Sequence, residues 1–255
     1  MRYAVCSVPV SALRIESSHK TEMVSQQLFG ECCTILEEVK GWVKIRCRYD
    51  DYEGWCQSSH VVDIDVTQFE SKDEQLTADW INDLDYNGHH MFVPLGSSLT
   101  AFQNDRTFWR KSPVQYSGKV WHLAEVKITP KLMKHLVYKF LNTSYLWGGK
   151  SVFGIDCSGF SQLVYKLLNI AIPRDASQQA LKGNTIEFIQ EVNCGDLAFF
   201  DNDEGIITHV GIILNEHEII HASGKVRLDK IDHEGILNVD SKQRTHKLRI
   251  IKRFF

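Results

Sequence analysis

The sequence changes character near residue 126, and this change limits the folds that the chain can adopt. Before it, short runs rich in β-branched and aromatic residues, such as CCTILEEV and GWVKIRCR, alternate with charged or glycine-containing turns. After it come three helical segments and then a set of strand-like segments. We therefore expect an α+β domain over residues 126–255, preceded by small all-β units.

The all-β part divides into two segments. Residues 1–66 predict a small barrel, since regular short strands of this kind close readily into one. Residues 80–125, which include HHMFVPLGSSLTAF and KVWHLAEV, predict a second and less regular β-unit. Residues 67–79 are polar and lack a strand pattern, which predicts a linker with room for a helical turn.

Cap signals define the helical segments of the third part. Thr129 and Pro130 are placed as N-cap and first residue of one helix, and Asp156 as N-cap of a second, which puts Cys157 in its first turn. In a third, RDASQQALKG, Asp175 is the expected cap and Gly183 the stop. The strands that follow are GDLAFF, THVGIIL, HEIIHA and KLRIIKRFF.

Composition limits the partners. The chain has 255 residues, is 43% hydrophobic and 24% charged, and carries a net charge of −3. These values are ordinary for a soluble globular protein and imply no basic face, so we expect neither a nucleic acid nor a membrane partner, and a monomer. The N-terminal text is a poor signal peptide, which predicts a cytoplasmic protein, or a periplasmic or secreted one if a leader has been removed.

The seven cysteines differ in their sequence context. The count is odd and no CxxC pair occurs, which argues against a disulfide framework and a zinc knuckle. Five cysteines precede residue 60 on strand-like apolar text, where packing is the expected role. Cys157 differs, because it lies among Gly, Asp and Ser just before an amphipathic run.

Two histidines qualify as partners of Cys157. A helix N-terminus favours a thiolate, and a nucleophilic cysteine also needs a base and a group that orients the base. His209 opens the strand THVGIIL and His221 ends EIIHA, so a hairpin of these strands would bring both side chains together. A Cys/His/His metal site and simple packing remain the alternatives at this point.

Several linked blocks resemble the NlpC/P60 family of papain-like cysteine peptidases. They are YLWGGKSVFGIDCSGF, IPRDASQQ, GDLAFF and THVGIIL…EIIHASG, in this order. The resemblance implies a papain-like fold for 126–255, with Cys157 as nucleophile, His209 as base and His221 as the third, polar member. It also implies that Tyr145 faces the oxyanion, with core packing as its alternative role, and that no metal or cofactor takes part.

Residues 1–66 resemble a bacterial SH3-like barrel of the kind fused to such peptidases, and 80–125 a second, divergent one. This combination is typical of γ-D-glutamyl-L-diamino acid endopeptidases, which cut murein stem peptides with a free N-terminal L-Ala (L-Ala-γ-D-Glu-diamino acid), in peptidoglycan recycling or remodelling. The substrate-binding residues that the resemblance implies are Asp156, Ser158, Glu31, Tyr52, Arg174 and Asp175.

Other interpretations stay open at the level of sequence. The chain could be a cell-wall-binding module whose catalytic domain is secondary, or an amidase or acyltransferase on the same scaffold. Asp156 could serve only as a helix cap, and Arg174 only as a structural ion pair.

Overall fold

In the computed structural model, which describes residues 1–72 and 74–255, the chain forms two compact units. The first comprises Met1–Val126 and Trp147–Val152, and the second Lys127–Leu146 and Phe153–Phe255. The predicted β-segments 1–66 and 80–125 both fall in the first unit. The predicted linker 67–79 includes Asp73, which lies outside the described residues.

The first unit is built almost entirely of β-strands. They are β1 (Arg2–Cys6), β2 (Val10–Arg14), β3 (Met23–Leu28), β4 (Cys32–Val39), β5 (Trp42–Cys47), β6 (Glu53–Gln57), β7 (Val61–Ile64), β8 (Gln75–Thr77), β9 (Ile81–Tyr86), β10 (His89–Pro94), β11 (Arg106–Trp109), β12 (Ser112–Tyr116), β13 (Val120–His122) and β14 (Lys150–Ser151). A helical turn, α1 (Val66–Glu70), and two 3-10 turns, Ser58–His60 and Leu123–Glu125, complete it.

The strands of the first unit form two main sheets. The larger has the order β3-β2-β6-β5-β4-β1-β7, and the smaller the order β10-β9-β12-β11, while β13 pairs with β8. One hydrophobic cluster joins them, because Phe29 and Cys32 from the first segment pack with Leu84, Trp109 and Val114 from the second. The two segments that the sequence separates therefore share a core.

The N-terminal cysteines serve as packing residues, as predicted. Cys6, Cys32, Cys33, Cys47 and Cys56 are all buried free thiols. Cys33, Cys47 and Cys56 form one cluster with aliphatic side chains of the larger sheet. Burial raises the pKa of Cys56 to about 12, so this thiol stays protonated and behaves as a small hydrophobe.

The second unit contains three α-helices and a set of strands. They are α2 (Pro130–Lys139), β15 (Gly154–Ile155), α3 (Cys157–Leu167), α4 (Ala176–Gln179), β16 (Asn184–Ile186), a 3-10 turn (Ile189–Glu191), β17 (Leu197–Asp201), β18 (Ile207–Asn215), β19 (Glu218–Ser223), β20 (Lys225–Asp232), β21 (Gly235–Leu237) and β22 (Arg244–Arg253). The sheet order is β16-β22-β17-β18-β19-β20-β21, and β21 also pairs with β22. Six strands therefore close into a ring, and the unit is α+β as expected.

The caps predicted for the first two helices are confirmed. The Thr129 hydroxyl accepts the Leu132 N–H at 3.1 Å, and the Asp156 carboxylate accepts the Gly159 N–H at 2.7 Å. The third helix is shorter than predicted, only Ala176–Gln179, and the Asp175 side chain makes no capping hydrogen bond. Within residues 1–72 and 74–255, the helices are too short or too polar to cross a bilayer.

Candidate active site

Cys157 is the first residue of α3 and is 6% exposed. Every residue of this helix is buried, so packing on all sides fixes the position of its N-terminus. Asp156 adopts the extended backbone of an N-cap and satisfies one of the free N–H groups of the first turn. The sulfur is thus held where amide N–H groups converge.

The hairpin of β18 and β19 brings two imidazoles into contact, as the sequence predicts. His209 Nε2 lies 2.8 Å from His221 Nδ1, and both residues are buried. The register differs from a direct pairing, because His221 lies opposite Gly211 and His209 lies opposite Phe200. The two histidines are therefore diagonal neighbours on one face of the sheet.

Gly211 makes this diagonal contact sterically feasible. A Cβ atom at this position would lie 2.7 Å from Ile219 Cδ1 and 2.9 Å from His221 Cβ. Either distance is far below van der Waals contact, so any side chain would displace the His221 backbone or the Ile219 side chain. Only glycine leaves the His221 ring in reach of His209.

A carboxylate continues the line of histidines. His221 Nε2 lies 3.0 Å from Asp229 Oδ2, and both side chains are about 1% exposed. Asp229 lies on β20, and its Oδ1 accepts the Val239 N–H at 2.8 Å and an Nη2–H of Arg227 at 3.0 Å. Burial opposes ionisation, but the hydrogen bonds from His221, Val239 and Arg227 outweigh it and hold the pKa of Asp229 below its usual value.

When both rings are neutral, the ionised carboxylate sets their tautomers. Because Asp229 can only accept, His221 Nε2 carries the proton and His221 Nδ1 presents a lone pair. His209 must then donate from Nε2, which leaves the lone pair of His209 on Nδ1. This tautomer gives His209 one basic nitrogen that the histidine pair does not use.

The electrostatics of the site favour a neutral thiol beside a neutral imidazole. Burial, followed by the charge of Asp156, raises the pKa of Cys157 to about 11, although backbone N–H groups of Val210 and Ser158 favour the thiolate. Burial, followed by His221 and His246, holds the pKa of His209 well below 6.5. A resting thiolate, which the helix N-terminus alone suggests, is therefore not what this environment favours, since desolvation outweighs the dipole.

Tyr145 interacts electrostatically with Cys157. Burial, followed by the nearby Cys157 and Asp156, raises the pKa of Tyr145 to about 12. The phenol is therefore protonated at neutral pH and can donate a hydrogen bond. Its backbone is fixed by the Tyr145 N–H, which donates to the Gly224 carbonyl at 3.0 Å.

Three of the predicted substrate-binding residues form one buried cluster. Arg174 binds Asp156 through two parallel hydrogen bonds, of 3.0 Å to Oδ1 and 2.6 Å to Oδ2, and the two side chains are 1% and 8% exposed. Arg174 also donates to the Ser158 hydroxyl at 2.8 Å. The structural ion pair considered for Arg174 is thus present. Asp175 follows Arg174 in the sequence and occupies the N-cap position just before α4.

Glu31 and Tyr52 belong to the first unit. The Glu31 carboxylate accepts the Leu28 N–H at 2.9 Å and lies 3.2 Å from Lys150 Nζ, with both charged side chains at most 5% exposed. Tyr52 lies between β5 and β6, and its N–H donates to Asp50 Oδ1 at 3.1 Å. Their part in substrate binding remains a prediction.

Sequence reasoning missed Asp229, Gly211 and His246. Asp229 lies in KVRLDKID, where four other charged residues obscure the strand pattern. Gly211 looks like an ordinary glycine within a strand, although a glycine at such a position often marks the close approach of a neighbouring group. His246 stacks on His209, with ring centroids 4.0 Å and planes 23° apart, and no local motif precedes it.

Two protein families match parts of this chain. The NlpC/P60 family matches residues 142–245, and the bacterial dipeptidyl-peptidase Sh3 domain matches residues 13–61. A solved NlpC/P60 family protein from Bacillus cereus shares the fold, with a TM-score of 0.80 over 98% of this chain and 99% of that chain, at 19% identity.

Three relatives agree with these matches. Dipeptidyl-peptidase 6 of Lysinibacillus sphaericus is 27% identical over 91% of this chain and 92% of its own. A γ-D-glutamyl-L-lysine dipeptidyl-peptidase of Bacillus cereus is 24% identical over 80% of this chain and 68% of its own. A probable endopeptidase of Haemophilus influenzae is 31% identical over 49% of this chain and 74% of its own.

This chain belongs to the NlpC/P60 family and is a cysteine peptidase, a hydrolase that also carries a bacterial SH3 domain.

Proposed function

We propose that the protein cleaves the γ-D-glutamyl bond to the diamino acid in murein stem peptides that begin with a free L-Ala. The observation that carries the proposal is the buried line from His209 through His221 to Asp229, which leaves His209 with one basic nitrogen to serve the Cys157 thiol. Two names support the choice of bond: the Bacillus cereus relative is named γ-D-glutamyl-L-lysine dipeptidyl-peptidase, and the family that matches residues 13–61 is the bacterial dipeptidyl-peptidase Sh3 domain.

The reaction begins with a neutral pair. His209 Nδ1 takes the thiol proton of Cys157 as the sulfur attacks the γ-carbonyl carbon, so the thiolate exists only as it is consumed. The resulting imidazolium is stabilised by the hydrogen bond to His221, whose other nitrogen is held by Asp229. This arrangement lets a thiol with a raised pKa act as a nucleophile at neutral pH.

The remaining steps use the same groups. The Tyr145 hydroxyl and the Cys157 N–H donate to the oxyanion of the tetrahedral intermediate. His209 then gives its proton to the leaving amine of the diamino acid, and a thioester forms on Cys157. Water, deprotonated by His209, attacks the thioester and releases the acyl dipeptide, which regenerates the thiol.

Recognition of the free amine is assigned to carboxylates. Asp156 lies beside the nucleophile, and Glu31 lies in the SH3-containing unit, as in the resembling subgroup. Asp156 already contacts the buried Arg174, and Glu31 already contacts the buried Lys150. A substrate ammonium bound to either carboxylate would share it with that cation. Ser158, Tyr52 and Asp175 are proposed as further substrate-binding residues.

We further propose that residues 80–125 form a divergent second SH3-like barrel, and that the enzyme acts in recycling or remodelling of peptidoglycan. The four-stranded sheet β10-β9-β12-β11 and the β13–β8 pair supply the short strands that such a barrel uses.

The test compares L-Ala-γ-D-Glu-diaminopimelate with its N-acetylated form under identical conditions. We expect cleavage of the free peptide and a loss of kcat/KM of at least about a hundredfold on acetylation, since an acetyl group removes a charge-assisted hydrogen bond and adds bulk. Equal kcat/KM for the two peptides would contradict the amine pocket while leaving the peptidase chemistry intact.

A further inference from the structure

His246 has no part in the proposed reaction, although it lies against the base. Its ring stacks on that of His209 and lies 5.6 Å from that of His221 at 84°. One ring nitrogen from each of the three residues lies within 4.8 Å of the others. We propose that His209, His221 and His246, here called the histidine cluster, bind a divalent transition ion such as Zn²⁺, and that the bound ion inhibits the peptidase.

The spacing of the histidine cluster is close to that of a coordinated ion. Zn²⁺ binds imidazole nitrogen at about 2.0–2.1 Å, so two ligands of a tetrahedral site lie about 3.3 Å apart. The nitrogens of the cluster lie within 4.8 Å, so movements of about 1 Å for each ring would bring them to that spacing. His246 is only partly buried on β22, which leaves room for its ring to move.

The hydrogen bonds around the cluster leave suitable lone pairs on His221 and His246, whereas the proton of His209 must move from Nε2 to Nδ1 before Nε2 can bind an ion. Asp229 accepts from His221 Nε2, which directs the lone pair of His221 to Nδ1, inside the cluster. A carboxylate behind a histidine is the outer arrangement that orients and strengthens histidine ligands of zinc. His246 Nδ1 lies 2.9 Å from the Thr245 hydroxyl, so Nε2 of this ring is the nitrogen available for an ion.

Coordination would stop the reaction for a simple reason. An ion that takes the lone pair of His221 breaks the hydrogen bond from His209, and one that takes the lone pair of His209 removes the base itself. The bonds are formed by neutral imidazoles, which displace water from the ion, and no electron is transferred. Asp229 offsets one of the two positive charges. The inhibitory half of this proposal rests on the proposed peptidase function, whereas binding of the ion does not.

The exposed His89–His90 pair on β10 is the rival site for an ion. The experiment therefore uses the full chain, freed of metal by a chelator, and titrates ZnCl₂ by calorimetry against wild type, His246→Phe and His90→Phe. Phenylalanine keeps an aromatic ring to stack on His209 but offers no nitrogen. If His246→Phe does not fold, as judged by circular dichroism, His246→Gln replaces it.

We expect wild type and His90→Phe to bind one Zn²⁺ with the same affinity. Loss of even an outer partner weakens metal sites by about tenfold or more, so His246→Phe should bind at least about tenfold more weakly. Cleavage of the stem peptide by wild type should fall as Zn²⁺ fills this site and recover with chelator. His246→Phe should need at least about tenfold more Zn²⁺ for the same fractional loss of its own metal-free rate.

Equal Zn²⁺ affinity of wild type and His246→Phe, or weakening in His90→Phe alone, would overturn the proposed site. Zn²⁺ binding that follows the expected pattern in a protein that leaves the stem peptide intact would count against the proposed function and not against the site. Cleavage of the peptide by a protein that does not bind Zn²⁺ would support the proposed function and overturn the proposed metal site.

Discussion

The Nε2 atom of His221 lies 3.0 Å from Oδ2 of Asp229, and both side chains are almost fully removed from solvent. This contact determines which nitrogen of each neutral histidine carries a proton, and it makes Nδ1 the basic nitrogen of His209. Asp229 acts through His221, so it is a positioning residue. The line of groups proposed to support Cys157 is therefore one member longer than the Cys–His–His set that the sequence suggests.

Replacing Asp229 by Asn should reduce kcat. An amide can donate to His221 Nε2, which would invert the tautomers and turn the basic nitrogen of His209 into a donor. We expect kcat to fall by about a hundredfold or more with little change in KM, because a general base contributes about 10²–10⁴-fold. Steady-state kinetics on the stem peptide measure both constants.

Asp240 offers a matched control for this substitution. It binds the same Arg227, at 2.7 Å, but its side chain is 77% exposed and it does not contact a histidine. Asp240→Asn should keep the wild-type kcat. If Asp229→Asn and Asp240→Asn have the same kcat, the tautomer argument is wrong.

Adding one methyl group at Gly211 should separate the two histidines. The new Cβ would crowd Ile219 and His221, at a cost of about 1–3 kcal/mol for overpacking, and should lower kcat as His221 moves. Gly205→Ala provides the comparison, because Gly205 has a φ of +77° but nothing within 4 Å of an added Cβ. It should lose about 1 kcal/mol from backbone strain and keep its kcat. A fully active Gly211→Ala would contradict the steric account.

Arg174 should be important for stability. Arg174→Gln would leave the buried Asp156 carboxylate without its cation, and removing one partner of a buried pair costs about 3–5 kcal/mol. Arg244 also binds a carboxylate, that of Asp232, through two hydrogen bonds, but on the surface. Arg244→Gln should therefore cost much less. Urea unfolding measures the free energy of unfolding of both variants. Equal losses of that free energy would show that burial does not govern the stability of the Arg174–Asp156 pair.

Stability should decrease as pH falls below 6.5. The pKa of His209 is lowered by burial in the folded state, so below 6.5 the unfolded chain binds a proton that the folded chain does not. Unfolding is then favoured by about 1.4 kcal/mol per pH unit for this one group. Between pH 6.5 and 5, His209→Gln should reduce the slope of the unfolding free energy against pH by up to about 1.4 kcal/mol per pH unit, the contribution of one proton. Identical slopes would place the pKa of His209 near its ordinary value.

Local signals in the sequence predicted much of this architecture. Thr129, Pro130 and Asp156 mark helix starts through cap chemistry that involves only neighbouring residues, and the structure has the helices there. The hairpin between β18 and β19 was predictable for the same reason, since its turn is short. Family resemblance then linked these distant blocks.

The features that could not be predicted from the sequence depend on contacts between distant segments. β20 carries Asp229 among charged neighbours, and its pairing with β19 brings the carboxylate to His221, where it is buried. His246 reaches His209 because β22 pairs with both β17 and β21 and closes the sheet. The raised pKa of Cys157 has a similar origin, because burial by the whole unit outweighs the local effect of the helix terminus.

The most direct measurement is mass spectrometry of L-Ala-γ-D-Glu-L-Lys, and of its diaminopimelate counterpart, after incubation with three proteins. Wild type should release the dipeptide L-Ala-D-Glu and the free diamino acid, and Cys194→Ala, which removes a partly exposed thiol elsewhere, should do the same. Cys157→Ala should leave both peptides intact. Cleavage by Cys157→Ala, or cleavage by wild type at the L-Ala–D-Glu bond instead, would contradict the account.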